Sequence, residues 1–319
     1  MKKNLKTNLI WLAIIAVVYA ILSALIVAGI INAFVAQIIT QIGINLIVAV
    51  GLNLVIGFTG QFSFGSAGFM AIGAYTSAIV TARMAPTWGT IFLSMLIGAI
   101  IAGIVAVIVG YPTLRLKGDY LAIATLGVSE IIRMLIMNGG DLTNGAAGLS
   151  GIILFTDWGM TFIFAVVIII LILNFINSPS GRATLSVRED EIASESMGVN
   201  VTRVKVIAFT LGAMVTAIAG SLYAGFIGTV TPKDFTWMKS VDALIIVVLG
   251  GLGSITGTVI AAIILGLLNM FLQDFGAIRM IIYSLVLILV MIFRPGGLLG
   301  TWEFKISRFF NKKENKEAK

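Results

Sequence analysis

Charged residues are scarce in this chain, so the few that fall inside apolar stretches are the first candidates for chemistry. Glu130 and Arg133 lie in the apolar run 119–137, three residues apart, on one helical face and within pairing reach. Glu130 stands about 16 Å into that run at 1.5 Å per residue, close to the middle of a bilayer. An unpaired charge there costs several kcal/mol, and charges at that depth are functional candidates by default. Two roles stay open for the pair. It braces its helix against neighbours, or it touches the α-amino and α-carboxylate groups of a zwitterion in transit. Asp242 is expected at the start of a short helix over 241–252, where an acid complements the helix dipole, with path lining as its second role. Arg83 and Arg279 fall near the ends of apolar runs, where long side chains snorkel. The chain holds no histidine and no cysteine. That removes the commonest metal ligand, the commonest general acid–base group and all thiolate chemistry. No nucleophile–base pair is visible, so no catalytic residue, no metal and no enzyme activity are expected.

The other concentration of charge is the stretch 178–206, SPSGRATLSVREDEIASESMGVNVTRVKV. Pro179 and Gly181 end the preceding apolar run, and Ala183–Met197 reads as one short helix. Ile192, Ala193, Ser196 and Met197 form a small apolar face at helical spacing. Arg188, Glu189, Asp190, Glu191 and Glu195 flank it, and Gly198 suits the position after the helix because it tolerates positive φ. Two readings stand side by side. One is a solvated surface helix without a partner. The other is a docking helix that a cytoplasmic protein grips.

These groups must be positioned by a membrane-embedded scaffold. Of 319 residues, 59% are hydrophobic and 11% charged, with mean hydropathy +1.09. Soluble proteins carry about 25% charged residues. The expected fold is an all-α polytopic membrane protein of about ten transmembrane helices, one of them short or broken. The approximate spans are 9–31, 34–56, 66–84, 88–110, 119–137, 159–177, 203–224, 241–252, 255–273 and 278–293. The first run is too long for a signal-peptide core and reads as an uncleaved helix. Lys2, Lys3 and Lys6, the loop 178–205 with Arg182, Arg188, Arg203 and Lys205, and the basic tail 294–319 hold most of the 21 Lys and Arg. Ten spans place all three regions on one side, with Arg115 and Lys117. The positive-inside rule makes that side the cytoplasm, with both termini inside. The net charge of +7 speaks to orientation rather than to nucleic acid.

The stretch GFTGQFSFGSAGFMAIGAYTSAIV from Gly57 is rich in glycine yet carries no charge. Interior glycines cost about 1 kcal/mol each in a helix. Non-helical backbone inside a bilayer is tolerated only where protein buries it or water lines it. We therefore expect a broken segment at 59–66, with Thr59, Gly60, Gln61, Ser63, Gly65 and Ser66 near a translocation path. Gly68 and Gly73 are expected to let helices approach closely. The Gly139–Gly151 stretch, GGDLTNGAAGLSG, reads as a flexible turn set on the outer side. Shifting the chain against itself by 168 residues aligns Gly57-Phe58-x-Gly60 with Gly225-Phe226-x-Gly228, Gly89-Thr90 with Gly257-Thr258, and Gly98 with Gly266. The single permease domain 1–319 would then hold two inverted five-helix halves, 9–137 and 159–293, a layout common in transporters.

Gly51-Leu52-Asn53-Leu54-Val55-Ile56-Gly57-Phe58-Thr59-Gly60-Gln61-Phe62-Ser63-Phe64-Gly65 resembles the hallmark of branched-chain amino-acid ABC-transporter permeases. Arg188 to Gly198 resembles that family's cytoplasmic coupling motif, with Ile192-Ala193-Ser194 where importers commonly carry Glu-Ala-Ala. Leu114–Tyr120, Gly127–Arg133 and Phe293–Leu298 are similar to the LivM-type subunit rather than its LivH-type sister. The resemblance implies a multi-pass protein of the bacterial cell membrane. It implies a LivH-type second permease, two cytoplasmic ATP-binding subunits and an extracytoplasmic amino-acid-binding protein as partners. No G-x-x-x-x-G-K-[ST] loop occurs, so ATP and Mg²⁺ are expected in the partner subunits and no cofactor in this chain. Two rival readings remain: a permease of the same kind for urea or short amides, and an ion-coupled secondary transporter.

Overall fold

The computed structural model describes residues 2–84, 87–116, 118–272, 275, 278–294, 296–300 and 303. Lys117, Pro295 and the tail lysines and arginine from Lys305 to Lys319 lie outside the described residues. So do the side chains of Lys2, Lys3, Lys6 and Arg279. The chain is helical almost throughout. In order come α1 (Lys2–Val27), α2 (Ala33–Thr59), α3 (Ser66–Arg83), α4 (Trp88–Thr113), α5 (Asp119–Met137) and α6 (Trp158–Asn177). Two short helices follow, α7 (Pro179–Glu189) and α8 (Glu191–Ser196). Then come α9 (Val201–Ile227), α10 (Trp237–Gly250), α11 (Ile255–Phe271) and α12 (Ile278–Phe293). Among the described residues, five helices are long and apolar enough to cross a membrane: α2, α4, α5, α6 and α9. A sixth crossing counts α10 and α11 together, bent by 119° at their short connection. This is a polytopic membrane protein.

Helix starts follow local chemistry. Asn32, Thr87, Asp157, Ser178, Asp190, Asn200 and Ser254 each accept a backbone N–H of the first turn they precede. The two longest buried helices end alike: Gly60 caps α2 and Gly228 caps α9, both with φ above +70°. The bounds of α2 and α9 differ by 168 residues at each end.

The core forms around α2 and α9. Every residue from Leu46 to Thr59 is buried, as expected of a helix that is apolar all round and central in its bundle. The candidate span in α5 is only 22% buried, so α5 lies at the periphery. Small residues set the closest approaches. A Cβ at Gly73 would overlap the Ala217 backbone, and one at Gly220 would overlap the Met70 carbonyl. Ser221 Oγ donates to Gly73 O across the same seam (3.0 Å). Gly68 faces Ser129 of α5, where an added Cβ would stand 2.8 Å from Ser129 Cα. Both glycines of α3 therefore serve helix packing.

Three expectations need correction. The loop helix over 183–197 is two helices, because the Asp190 carboxylate accepts the Ala193 N–H (3.0 Å) and starts a new turn there with φ −155°. Pro179 stands in the first turn of α7, where its missing N–H costs nothing, so it opens a helix as well as closing the previous one. The short helix expected at 241–252 begins at Trp237, which moves Asp242 into the second turn, beyond the reach of the N-terminal dipole. The Gly139–Gly151 stretch is pinned rather than loose. Two 3₁₀ turns at Gly140–Leu142 and Gly145–Ala147 precede β1 (Leu149–Ser150), which pairs antiparallel with β2 (Thr229–Val230). Thr143 Oγ1 and Asn144 Nδ2 donate to Ile136 O and Gly148 O and close the turns.

Candidate functional site

The break after α2 is real, and two other elements meet it. Gln61 N–H donates to Val55 O, so the chain leaves the helix in a tight αL turn at Gly60. The Gly57 carbonyl, left without an intrahelical partner, instead accepts Arg188 Nη1 from the end of α7 (2.8 Å). A guanidinium at a helix C-terminus also complements the dipole. Gly253, in the turn between α10 and α11, lies against Gly57: a Cβ on Gly57 would overlap Asn53 Oδ1 and the Gly253 backbone. Asn53 is fully buried and joins the two elements with three hydrogen bonds. Its Nδ2 donates to Ser254 O (3.0 Å) and to Thr258 Oγ1 (2.8 Å), and its Oδ1 accepts Gly253 N–H (2.9 Å). Glu303 caps the start of α11 nearby, accepting from Thr256 Oγ1 (2.6 Å) and from Ile255 N–H. The end of α2, the α10–α11 turn and the α7–α8 pair thus form one junction.

From Gly60 the chain runs back into the bundle. Phe64 N–H donates to Thr125 Oγ1 in the second turn of α5 (3.0 Å). Phe64 O accepts Ser240 Oγ (2.8 Å), and Ser240 Oγ accepts the Ala67 N–H (2.9 Å). Ser240 lies ten residues before Gly250 on α10, about 15 Å along that helix. So α3 begins well inside the bundle, and a serine from α10 supplies the cap that Gly65 lacks. Thr59, Gln61, Ser63 and Ser66 are buried here. Both amide atoms of Gln61 and the hydroxyls of Ser66 and Ser129 are buried with no hydrogen-bond partner. Each such group costs about 1–3 kcal/mol when left unmade. Ser63 and Ser66 also line a small cavity with Thr216, Phe69 and Phe209.

Helix α7 buries Val187 against the bundle, whereas α8 and the residue after it carry their apolar groups outward. Ile192 and Met197 are 74% and 85% exposed, and Ala193 and Ser196 are exposed beside them. Ser194, on the opposite face, is buried. Gly198 follows with φ +86°. Glu191 anchors the pair to the bundle through Lys205 at the start of α9 (2.8 Å), and Glu189 stays loosely beside Arg188 (3.9 Å). Glu195 is exposed.

The predicted residues therefore separate into groups. Thr59, Gly60 and Gln61 stand at the end of α2, where Gly60 meets Arg188, whereas Ser63, Gly65 and Ser66 lie deeper in the bundle, by Thr125, Ser240 and Thr216. Glu130 and Arg133 pair as expected (2.7 Å), but on peripheral α5, with side chains 28% and 17% exposed. Asp242 is exposed and lines a separate cavity with Lys239. Sequence reasoning missed Asn53, Thr125, Ser240 and Lys239. Asn53 sat inside the quoted glycine motif as a polar residue in an apolar run, and that was its one signal. Among the described residues no group of three or more His, Cys, Asp or Glu could hold a metal ion.

Residues 34–294 match the family described as branched-chain amino acid transport system / permease component. The chain is 36% identical over 278 residues to a high-affinity branched-chain amino acid transport system permease protein LivM from Salmonella typhimurium (strain LT2), covering 76% of this chain and 64% of the relative. The LivM protein of Escherichia coli (strain K12) shows the same identity and coverage. The LivH protein of Salmonella typhimurium is 28% identical over 272 residues, 76% of this chain and 87% of the relative. The chain thus spans less than two thirds of the length of the two LivM relatives. No solved structure matches it. With the match running through α2 to α12, including the glycine breaks and the loop helices that meet them, the chain belongs to the branched-chain amino acid transport system permease family.

Proposed function

We propose that this chain is a permease subunit of an ATP-driven, binding-protein-dependent importer of branched-chain amino acids. The observation that carries the reading is the junction at Arg188. A short helix, α8, with two exposed apolar side chains follows α7, whose Arg188 guanidinium holds the Gly57 carbonyl in the last turn of α2, directly against the α10–α11 turn. A protein that gripped Ile192 and Met197 would pull on both breaks at once. The pulled segment, 60–65, leads to buried polar groups that lack partners in this state, which is where a path that opens and closes is expected to hold them. Glu130 and Arg133 brace α5 in this reading, since they satisfy each other.

The full topology we infer is ten spans in two inverted halves, 9–137 and 159–293, with both termini and the 178–205 loop cytoplasmic. The matched bounds and matched glycine caps of α2 and α9 support the repeat. The partners are a LivH-type permease, two ATP-binding subunits that supply ATP hydrolysis with Mg²⁺, and an extracytoplasmic binding protein. The path is largely apolar to suit Leu, Ile and Val, and affinity resides in the binding protein. Deleting 183–198 tests the coupling role. The ATP-binding subunits should no longer co-purify while membrane insertion persists, and undiminished co-purification would remove the assignment. Uptake of leucine by vesicles holding the whole complex, competed by leucine but not by urea, tests the substrate.

A further inference from the structure

Lys239 lies in the first turn of α10, at the end remote from the Arg188 junction. Its Nζ stands over the Tyr223 ring of α9, 5.3 Å from the centroid. The carboxylates of Asp242, three residues on along α10, and of Asp234, in the 3₁₀ turn Pro232–Phe235, both act on the ammonium. A lysine inside a membrane bundle is kept where anions and aromatic faces of this kind compensate it. The compensating groups differ in what they join. Asp242 shares α10 with the lysine, so that interaction stays within one helix. Asp234 and Tyr223 do not, so through them Lys239 ties the start of α10 to the 3₁₀ turn and to α9. Thr236 makes no side-chain capping bond there, so the first turn of α10 depends on such ties.

The 3₁₀ turn belongs to a folded cap. Asp234 Oδ2 accepts the Thr231 N–H (2.7 Å) and Thr231 Oγ1 (3.0 Å), which fixes the turn. Phe235 is fully buried against the rings of Tyr75 on α3 and Tyr223, with centroids 6.3 and 5.9 Å away. Just before the turn β2 pairs with β1, and Ile152 N–H donates to Gly228 O (3.0 Å). Residues 149–152 and 228–235 are thus one hydrogen-bonded unit. Next to Lys239, Ser240 caps the start of α3. About 16 Å further along, α10 ends in the turn that lies against Gly57 and Arg188. Helix α10 therefore touches both ends of the 60–65 break and the cap as well. We propose that Lys239 is a positioning residue that couples α10 to this cap, so that α10 carries a movement at the Arg188 junction to the other side of the bundle as one rigid rod. The inference rests on the transport reading, in which the cap lies on the extracytoplasmic side, and it extends that reading from the inner junction to the outer one.

The absence of cysteine makes a direct test possible. The full-length chain, reconstituted with its partner subunits, carries one reporter, Ser150→Cys, at an exposed position on β1, labelled by a soluble maleimide. Thr229→Cys, opposite it on β2, serves if the first fails to insert. Labelling is read with and without ATP and vanadate, which arrest the ATP-binding subunits. ATP and vanadate should change the labelling rate in the chain with native Lys239. Lys239→Met should abolish that change and lower leucine uptake by about tenfold, and Lys239→Arg should restore both. Asp234→Asn keeps an acceptor for Thr231 but not the charge, and should behave as Lys239→Met does. A merely structural role would instead lower Tm in Lys239→Met while the folded fraction still responds to ATP and vanadate, and that result overturns the assignment. So does a Lys239→Arg chain that folds yet stays uncoupled. Leucine uptake is read in the same vesicles without a reporter. Uptake with no response at the reporter in the native-Lys239 chain sinks the coupling inference alone, whereas absent uptake in that chain sinks the transport reading.

Discussion

Replacing Asn53 by leucine should loosen the contact between α2 and the α10–α11 turn. Leu has a similar size and a higher helix propensity, so the change isolates the polar contacts. The side chain is fully buried and makes three hydrogen bonds, two donated by Nδ2 and one accepted by Oδ1. The two lost Nδ2 bonds contribute about 1 kcal/mol each net. Gly253 N–H is then left buried without an acceptor, at about 1–3 kcal/mol. Ser254 O is spared, because Thr258 Oγ1 still donates to it (2.8 Å). The expected loss is about 3–5 kcal/mol in all. At roughly 2 °C per kcal/mol for a long chain, Tm should fall by about 6–10 °C. The assay is thermal melting in detergent, followed by fluorescence-detected size exclusion. The control is Asn177→Leu, which removes an exposed bond to Leu173 O (2.7 Å) and should move Tm by about 1 °C or less. If Asn53→Leu melts with Asn177→Leu, the junction does not hold α2 against the α10–α11 turn and the reasoning fails.

Other expectations follow from neighbouring contacts. Gly73→Val drives two methyl groups into the Ala217 backbone, where nothing can rotate away, so folded yield should fall severely while Gly127→Val, with open space at its Cβ, expresses normally. Ile192→Ser with Met197→Ser should leave Tm unchanged, since both side chains are exposed, yet strip the ATP-binding subunits from the purified complex. Arg188→Met should retain those subunits and their ATP hydrolysis but lower leucine uptake by about tenfold, since the lost bond to Gly57 O severs the loop from the breaks. Exchanging the charges, Glu130→Arg with Arg133→Glu, should preserve uptake if the pair only braces α5. Loss of uptake in a well-folded exchange variant would instead place the pair on the path.

Much of this organisation was legible in the chain. The apolar runs predicted the long helices to within a few residues, because a helix in lipid must satisfy its own backbone and therefore declares itself by continuous apolarity. The break at 59–66 was legible from glycine without charge. The break in the loop helix was not, because Asp190 fits a helix surface as readily as a cap, and its choice depends on where Glu191 finds Lys205. The early start of α10 was hidden for a related reason: Trp237-Met238-Lys239 carries a charge that hydropathy excludes from a span, whereas a cavity wall accommodates it.

Composition and pattern alone determined that this is a helical membrane protein with glycine-marked breaks and a charged loop with an apolar edge. Those properties follow from transfer free energies and backbone freedom, which act residue by residue. Which breaks touch is a different kind of fact. That Arg188 reaches the Gly57 carbonyl 131 residues away, that Asn53 closes on the turn 200 residues on, and that Ser240 caps a helix it does not belong to, were decided by the packing of the bundle. Hydrogen bonds of that range leave no periodic trace along a chain, because their partners are chosen by the fold and not by spacing.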